Sequence, residues 1–201
     1  SMSRNPDALQ VIREQRSIRR FQGQPVPRDL IEQVLELTVQ APSAKNAQPW
    51  RYIVLEGERA AVLAQRMQRR AQELAELGGD SGSLAWSAQV VAQAPVTILV
   101  FNTAAPAEIP PEFHDDYQFV MTQSTGGAIQ TMLLAAQALG LGSLWICDVL
   151  YVAKEICDWL GHPDDVLIAA VSLGYADEAP RARPRRPWQE VTEWMSDAPE
   201  A

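Results

Sequence analysis

Three short stretches carry the side chains best suited to chemistry, and each is suited to gripping an anion or a planar polar ring. Arg16-Ser17-Ile18-Arg19-Arg20 sets guanidinium forks and a hydroxyl within one short run. Such a set can hold a phosphate or an electron-rich heterocycle, and it equally suits a solvated basic helix end favoured by the helix dipole. Ala41-Pro42-Ser43-Ala44-Lys45-Asn46-Ala47-Gln48-Pro49-Trp50 supplies Asn46 and Gln48, each both donor and acceptor and so matched to a pyrimidine edge, with Ser43 as a further donor. The plainer reading of that stretch is a turn-forming polar loop. Arg181-Ala182-Arg183-Pro184-Arg185-Arg186-Pro187 is the densest basic run. Its prolines favour an extended chain in which Arg183 and Arg185 project to one side at period two. It reads as a phosphate clamp or as a basic surface tail.

Most other chemistry is excluded by scarcity. The chain has two His, His114 and His162, and two Cys, Cys147 and Cys157, too few for most metal centres and for a disulfide framework. Free thiols fit a reducing cytosol. The nearest approach to a dinucleotide fingerprint, Gly140-Leu141-Gly142-Ser143-Leu144-Trp145, has Trp in the third glycine position and leads into a strand. No phosphate-loop, His-Glu-x-x-His or Gly-x-Ser-x-Gly pattern occurs, and Gly79-Asp80-Ser81-Gly82 has the wrong spacing. A Cys–His hydrolase stays open on paper, but Cys157, inside Ile156-Cys157-Asp158-Trp159, reads as a buried structural thiol. A chain this poor in nucleophiles and general bases would need a bound organic cofactor to carry a reaction.

The elements that position these stretches follow from periodicity. A short helix is predicted over Pro6–Glu14, broken by Gly23 and Pro25, and a second opens at Pro27 and Asp29 with Leu30, Ile31, Val34, Leu35 and Thr38 on its apolar face. Trp50–Leu55 and Val96–Phe101 read as buried strands, and Ser143–Cys147 and Val166–Leu173 as two more. Helices are expected at Glu58–Leu77, Leu84–Gln93 and Ala153–Leu160, with the longest at Tyr117–Leu139. The stripe of that longest helix is Tyr117, Val120, Met121, Ser124, Ala128, Met132, Ala135 and Leu139. Its central Ser124-Thr125-Gly126-Gly127 run invites a close packing partner, since each Gly costs about 1 kcal/mol there relative to Ala. At 201 residues, 47% apolar and 21% charged, one α+β domain over 1–201 is expected, with 181–201 as an extended tail. Ser1 ahead of Met2 reads as a cloning remnant. A net charge of −8 argues against nucleic acid or an anionic membrane as partner. No segment is apolar enough to span a bilayer, and no secretory signal pattern opens the chain.

In this order and separation the clusters resemble the nitroreductase-like flavoprotein family, which binds FMN. The resemblance runs through Arg16–Phe21, the Pro25-Val26-Pro27 helix entry, Ala41–Trp50, Ala128-Ile129-Gln130, Leu134-Ala135-Ala136, Leu139–Trp145, Leu173-Gly174-Tyr175 and Arg183–Pro187, and so spans Arg13 to Trp194. It implies a nitroreductase-like fold, a central mixed or antiparallel sheet flanked by helices, in a homodimer with FMN at the subunit interface. A compact domain of this length also has little room for an internal flavin-sized pocket. By the same resemblance Arg16 and Ser17 would meet the phosphate–ribityl end, and Arg183 and Arg185 would clamp the phosphate. Arg19 would sit near the flavin N1/O2 edge, where reduction places negative charge. Pro42, Ser43 and Asn46 would reach the ring edge or side chain from across the interface, and Trp145, Ile146 and Cys147 would line the other side through backbone N–H groups. Gln15 and Cys147 depart from the Arg and Gly common in relatives, and Thr131 stands where Asn is frequent.

The activity implied is a cytoplasmic oxidoreductase without a metal or a single catalytic side chain. It would move hydride from NADH or NADPH through FMN to a small electron-poor acceptor, a nitroaromatic or a quinone, in a ping-pong cycle. Relatives that fragment reduced flavin with oxygen or dehalogenate aromatics, and a non-catalytic FMN-binding sensor or carrier, are the alternatives. The 56–82 and 103–116 segments are expected to shape the pocket, and nothing in them names a substrate.

Overall fold

A computed structural model describes residues 7–196. The readings made on Ser1, Met2 and Pro6, and on the last five residues of the tail, lie outside the described residues. The helices are α1 (Ala8–Glu14), α2 (Arg28–Thr38), α3 (Gly57–Glu76), α4 (Leu84–Gln93), α5 (His114–Ala138) and α6 (Ala153–Leu160). The strands are β1 (Trp50–Glu56), β2 (Val96–Asn102), β3 (Gly142–Ile146) and β4 (Val166–Gly174). Every pairing between the four strands is antiparallel and the strand order is β1-β2-β4-β3, so of the two sheet types expected the antiparallel one is present.

The two central strands are covered on both faces, which their unbroken apolar runs require. Along β2 the side chains alternate: Val96, Ile98 and Val100 join one buried cluster and Leu99 and Phe101 the other. The first cluster holds α2 and α5 against the sheet through Ile31, Val34, Ile129 and Met132. The second holds α3, α4 and α6 through Leu63, Met67, Val91 and Ile156. Each fully buried side chain of this kind contributes about 1.5–3 kcal/mol. A bulge interrupts the β2–β4 ladder beside Val100 and Phe101.

Element boundaries shift at the places that matter for a site. Helix α5 begins at His114, where Pro110 and Pro111 open a 3-10 turn that feeds the helix directly. Its buried face takes Met121, Ala128, Met132 and Ala135 as expected, but Val120 stays outside. Strand β3 stops at Ile146, and Cys147 has already turned to φ −92°, ψ −16°.

Residues 16–22 correct one alternative, for they form no helix end. Helix α1 stops at Glu14 with Gln15 at φ −56°, ψ 130°, and the chain then runs extended along the sheet, bridging Ser17 to Ser143 and Phe21 to Ala176. Ile18 and Phe21 point inward and are 7% and 6% exposed. They fit because their seats are glycines. A Cβ on Gly142 would lie 2.9 Å from Ile18, and one on Gly174 would lie 2.8 Å from the Pro95 ring and 2.9 Å from Phe21. Neither the proline ring nor the packed Phe can yield cheaply, so Gly174→Ala should destabilise the protein by about 1–3 kcal/mol. Thermal unfolding should show a Tm lower by several degrees; an unchanged Tm would mean that the seat is looser than described.

Candidate functional site

Two inward side chains leave the residues between and beside them facing out. Arg16, Ser17 and Arg19 line one pocket of about 360 Å³, closed on its other side by Arg181, Arg183 and Arg185. The first and third basic stretches, 165 positions apart from Arg16 to Arg181, thus become one cluster. Five arginines and no acid line it, together with Gln15, Ser17 and Pro180. Among the described residues none of the five is in an ion pair. Arg16 Nη1 donates to the Arg13 and Gln15 carbonyls at 2.8 and 2.7 Å, and Arg185 Nη1 to the Arg183 carbonyl at 3.1 Å. Backbone acceptors therefore aim two of the guanidinium groups without neutralising them.

Every peptide N–H from Ile18 to Gln22 has a fixed acceptor. Ile18 donates to the Ser143 carbonyl at 2.9 Å and Gln22 to the Tyr175 carbonyl at 2.8 Å. Arg19 and Arg20 both donate to Glu178 Oε1, at 2.6 and 3.2 Å, and Phe21 donates to Gln93 Oε1 at 3.2 Å. Gln93 Nε2 returns a bond to the Arg19 carbonyl. Glu178 and Gln93 were not among the residues expected at the site. Gln93 ends α4 in an ordinary helical pattern, and Glu178 is one of two adjacent acids in Asp177-Glu178-Ala179.

The second stretch stands apart from the arginines. Pro42 and Ser43 line a different pocket of about 350 Å³ with Ala44, Val120, Gln123, Ser124 and Gly127. The two pockets share no residue. Ser43 Oγ accepts the Gln48 N–H at 2.9 Å, and Ser124 Oγ, from α5, accepts the Ala44 N–H at 3.0 Å. Between these anchors Lys45, Asn46 and Gln48 take φ of 52°, 56° and 47°, the left-handed region that side chains other than glycine seldom occupy. Asn46 is exposed on the 3-10 turn Ala44–Asn46 and does not line the pocket.

The small-residue run of α5 divides its work. Ser124 holds the loop, Thr125 is buried and donates to Asn102 Oδ1, and a Cβ on Gly126 would meet Trp145 at 3.9 Å. Gly127 faces outward with nothing within 4 Å. Thr131 Oγ1 donates to the Gly127 carbonyl at 3.0 Å, an ordinary helix-internal bond.

Trp145 and Ile146 end the edge strand β3, and Cys147 follows it. Ser143 presents its carbonyl to the outer edge, where Ile18 binds it. Strand alternation therefore turns the Trp145 N–H and carbonyl to that same edge, past the stretch that the Ser17 bridge covers. Ile146 faces the opposite way, paired with Ala170 and 2% exposed. It is the member of the expected set that presents neither side chain nor N–H outward. Trp145 Nε1 is buried and has no partner among the described residues, a costly state for a donor. Cys147 is exposed, and Asp148 beside it accepts from Ser83 Oγ at 2.6 Å and from Ser87 Oγ.

Comparison with known proteins adds a consistent set. A model described as the nitroreductase family matches residues 12–175. A 5,6-dimethylbenzimidazole synthase of Rhodobacter capsulatus is 32% identical over 200 residues, covering 94% of this chain and 95% of that protein. A Methanothermobacter thermautotrophicus protein assigned as an NADH dehydrogenase/NAD(P)H nitroreductase is 29% identical over 182 residues, covering 88% of this chain and 81% of its own. Among solved structures, a nitroreductase-type protein of Desulfovibrio desulfuricans in complex with FMN is 28% identical. It has a TM-score of 0.73, and the match covers 98% of this chain and 100% of that one.

The two thiols should differ in reactivity. Burial pushes the Cys157 thiol up, and its Sγ lies 3.5 Å from the Asp165 carbonyl, whereas Cys147 is exposed. Less thiolate and no access make Cys157 inert. Mass spectrometry after iodoacetamide treatment of the folded protein should find Cys147 modified and Cys157 modified only after denaturation; equal labelling of both would contradict this placement.

Proposed function

The chain belongs to the nitroreductase family, and we propose that it is an FMN-dependent oxidoreductase acting as a homodimer, with a cofactor site at each subunit interface. The chemistry that bound FMN would supply is hydride acceptance from NADH or NADPH at N5 and delivery to an electron-poor acceptor, a nitroaromatic or a quinone. The observation that carries this reading is the arginine pocket. Five guanidinium groups without an acid, in a chain of net charge −8, suit a dianionic phosphate.

The residues present fit the rest of the group as well. Arg16, Ser17, Arg183 and Arg185 would hold the phosphate end, and Arg19, on the same pocket wall, would set a cation toward the N1/O2 edge. The outward N–H of Trp145 and the peptide of exposed Cys147 would serve the ring, with Ile146 as their buried backing. Pro42, Ser43 and Asn46 would act from the other subunit. That division is supported by the separateness of the two pockets within one chain. Large apolar side chains stand exposed as well: Leu37, Phe119, Val120, Trp188, Trp194 and Met195. No side chain is assigned as acid or base, so the protein's work is to bind, orient and polarise. Two free thiols agree with a cytoplasmic location, and among the described residues no helix is long and apolar enough to cross a membrane.

A second reading is favoured by one observation. The relative with 32% identity is named a 5,6-dimethylbenzimidazole synthase, and the dimethylbenzo unit of that product is also a part of the isoalloxazine ring. Fragmentation of reduced flavin with oxygen is therefore the rival activity. Reductant oxidation driven by a nitroaromatic under argon supports the first reading; release of dimethylbenzimidazole only in air supports the second.

Purified protein should show a flavin absorbance and release FMN on denaturation, and a colourless preparation that takes up no added FMN would overturn the assignment. Arg183→Ala should weaken FMN binding by about 10–100-fold, as loss of a charge-assisted hydrogen bond does. Gly127→Leu, which fills the outward face of the second pocket, should weaken dimerisation and FMN retention together, read by size-exclusion chromatography and absorbance. A variant that stays dimeric and yellow would remove α5 from the interface.

A further inference from the structure

We propose that Glu178 is a positioning residue that sets Arg19 against the flavin, with Gln93 holding the opposite side of the same peptide. The proposal rests on the FMN reading above and adds to it the two residues that fix the peptide from which the Arg19 side chain extends. Glu178 Oε1 accepts the Arg19 N–H at 2.6 Å and the Arg20 N–H at 3.2 Å. Gln93 Nε2 donates to the Arg19 carbonyl at 2.5 Å, and its Oε1 accepts the Phe21 N–H at 3.2 Å. Arg19 is thus held at both its N–H and its carbonyl by side chains from two other parts of the chain.

The placement of Glu178 is otherwise hard to explain. It follows β4 and precedes Pro180 and Arg181, so it stands next to a pocket lined by five arginines. A carboxylate there opposes the field that would attract a phosphate, and it makes no ion pair with any of the five among the described residues. What it supplies is a bridge. One oxygen ties the 16–22 segment, which carries Arg16 and Arg19, to the segment that carries Arg181, Arg183 and Arg185. The two halves of the arginine cluster are thereby fixed relative to each other. A guanidinium held in place stabilises charge that develops on a nearby ring better than one that must reorganise to meet it.

The role therefore belongs to the oxygen acceptor and its geometry and not to the negative charge, which the pair Glu178→Gln and Glu178→Ala separates. The protein is loaded with FMN, and two quantities are read: FMN affinity by quenching of flavin fluorescence, and the midpoint potential of the bound flavin. Glu178→Ala should lower the preference for reduced over oxidised flavin by about tenfold, ~30 mV for a two-electron couple. The change should match that of Arg19→Ala and should not add to it in the double variant. Glu178→Gln, which keeps an oxygen for the two N–H groups, should restore the potential and bind FMN at least as tightly as the parent protein. Gln93→Ala should shift the potential in the same direction and provides the test if Glu178→Ala does not fold. An unchanged potential in folded Glu178→Ala or Gln93→Ala, while Arg19→Ala shifts it, overturns the proposal alone. So does a Glu178→Gln protein that behaves as the alanine variant. A protein that binds no FMN, or an Arg19→Ala variant with unaltered potential, overturns the underlying reading and the proposal with it.

Discussion

The site depends on one close approach: Ile18 and Phe21 lying on Gly142 and Gly174, two glycines that face each other across the β3–β4 ladder. No other residue at these positions leaves room for the inward side chains. Burying those two side chains contributes about 1.5–3 kcal/mol each, and the bonds from Ile18, Arg19, Arg20, Phe21 and Gln22 satisfy the backbone that this docking takes from water. The arginines are therefore aimed by core packing. A loop of the same sequence without the glycine seats would carry the same charges with no fixed direction.

Local pattern made much of this visible. Strand β2 shows as Val96-Thr97-Ile98-Leu99-Val100-Phe101, and α3 as an unbroken run of helix formers bounded by Gly57 and Gly78, because each satisfies its own periodicity. The extended state of Arg16–Gln22 is different. Its partners are Gln93, Ser143, Tyr175, Ala176 and Glu178, all more than 70 positions along the chain, and no local pattern reports them. Gly142, within Gly140-Leu141-Gly142, reads locally as a helix stop, and its role as a seat is set by Ile18 alone. By composition the basic runs were candidates for anion binding or for solvated surface, and their union into one pocket is a property of topology.

Charge follows the same division between local and global. The chain is acidic overall, yet its arginines are concentrated where the backbone aims them. Elsewhere several cations are paired, as with Arg66 and Arg69 on Glu155, where Trp159 also stacks beneath Arg66 at 4.9 Å. A net charge sums over both populations and describes neither. In the proposed dimer, where the arginine pocket of one chain and the Ser43 pocket of the other would share a cofactor, binding and association would be linked equilibria, each strengthening the other by mass action.

The loop at Lys45, Asn46 and Gln48 has a cost that nothing nearby removes. Each non-glycine residue in the left-handed region gives up about 1–2 kcal/mol relative to a relaxed backbone. Glycine at these positions would relieve that cost in the folded chain while adding freedom to the unfolded one. A thermostability screen would be drawn to this loop, and its hits there would slacken the backbone that runs on from the Pro42–Ala44 pocket wall.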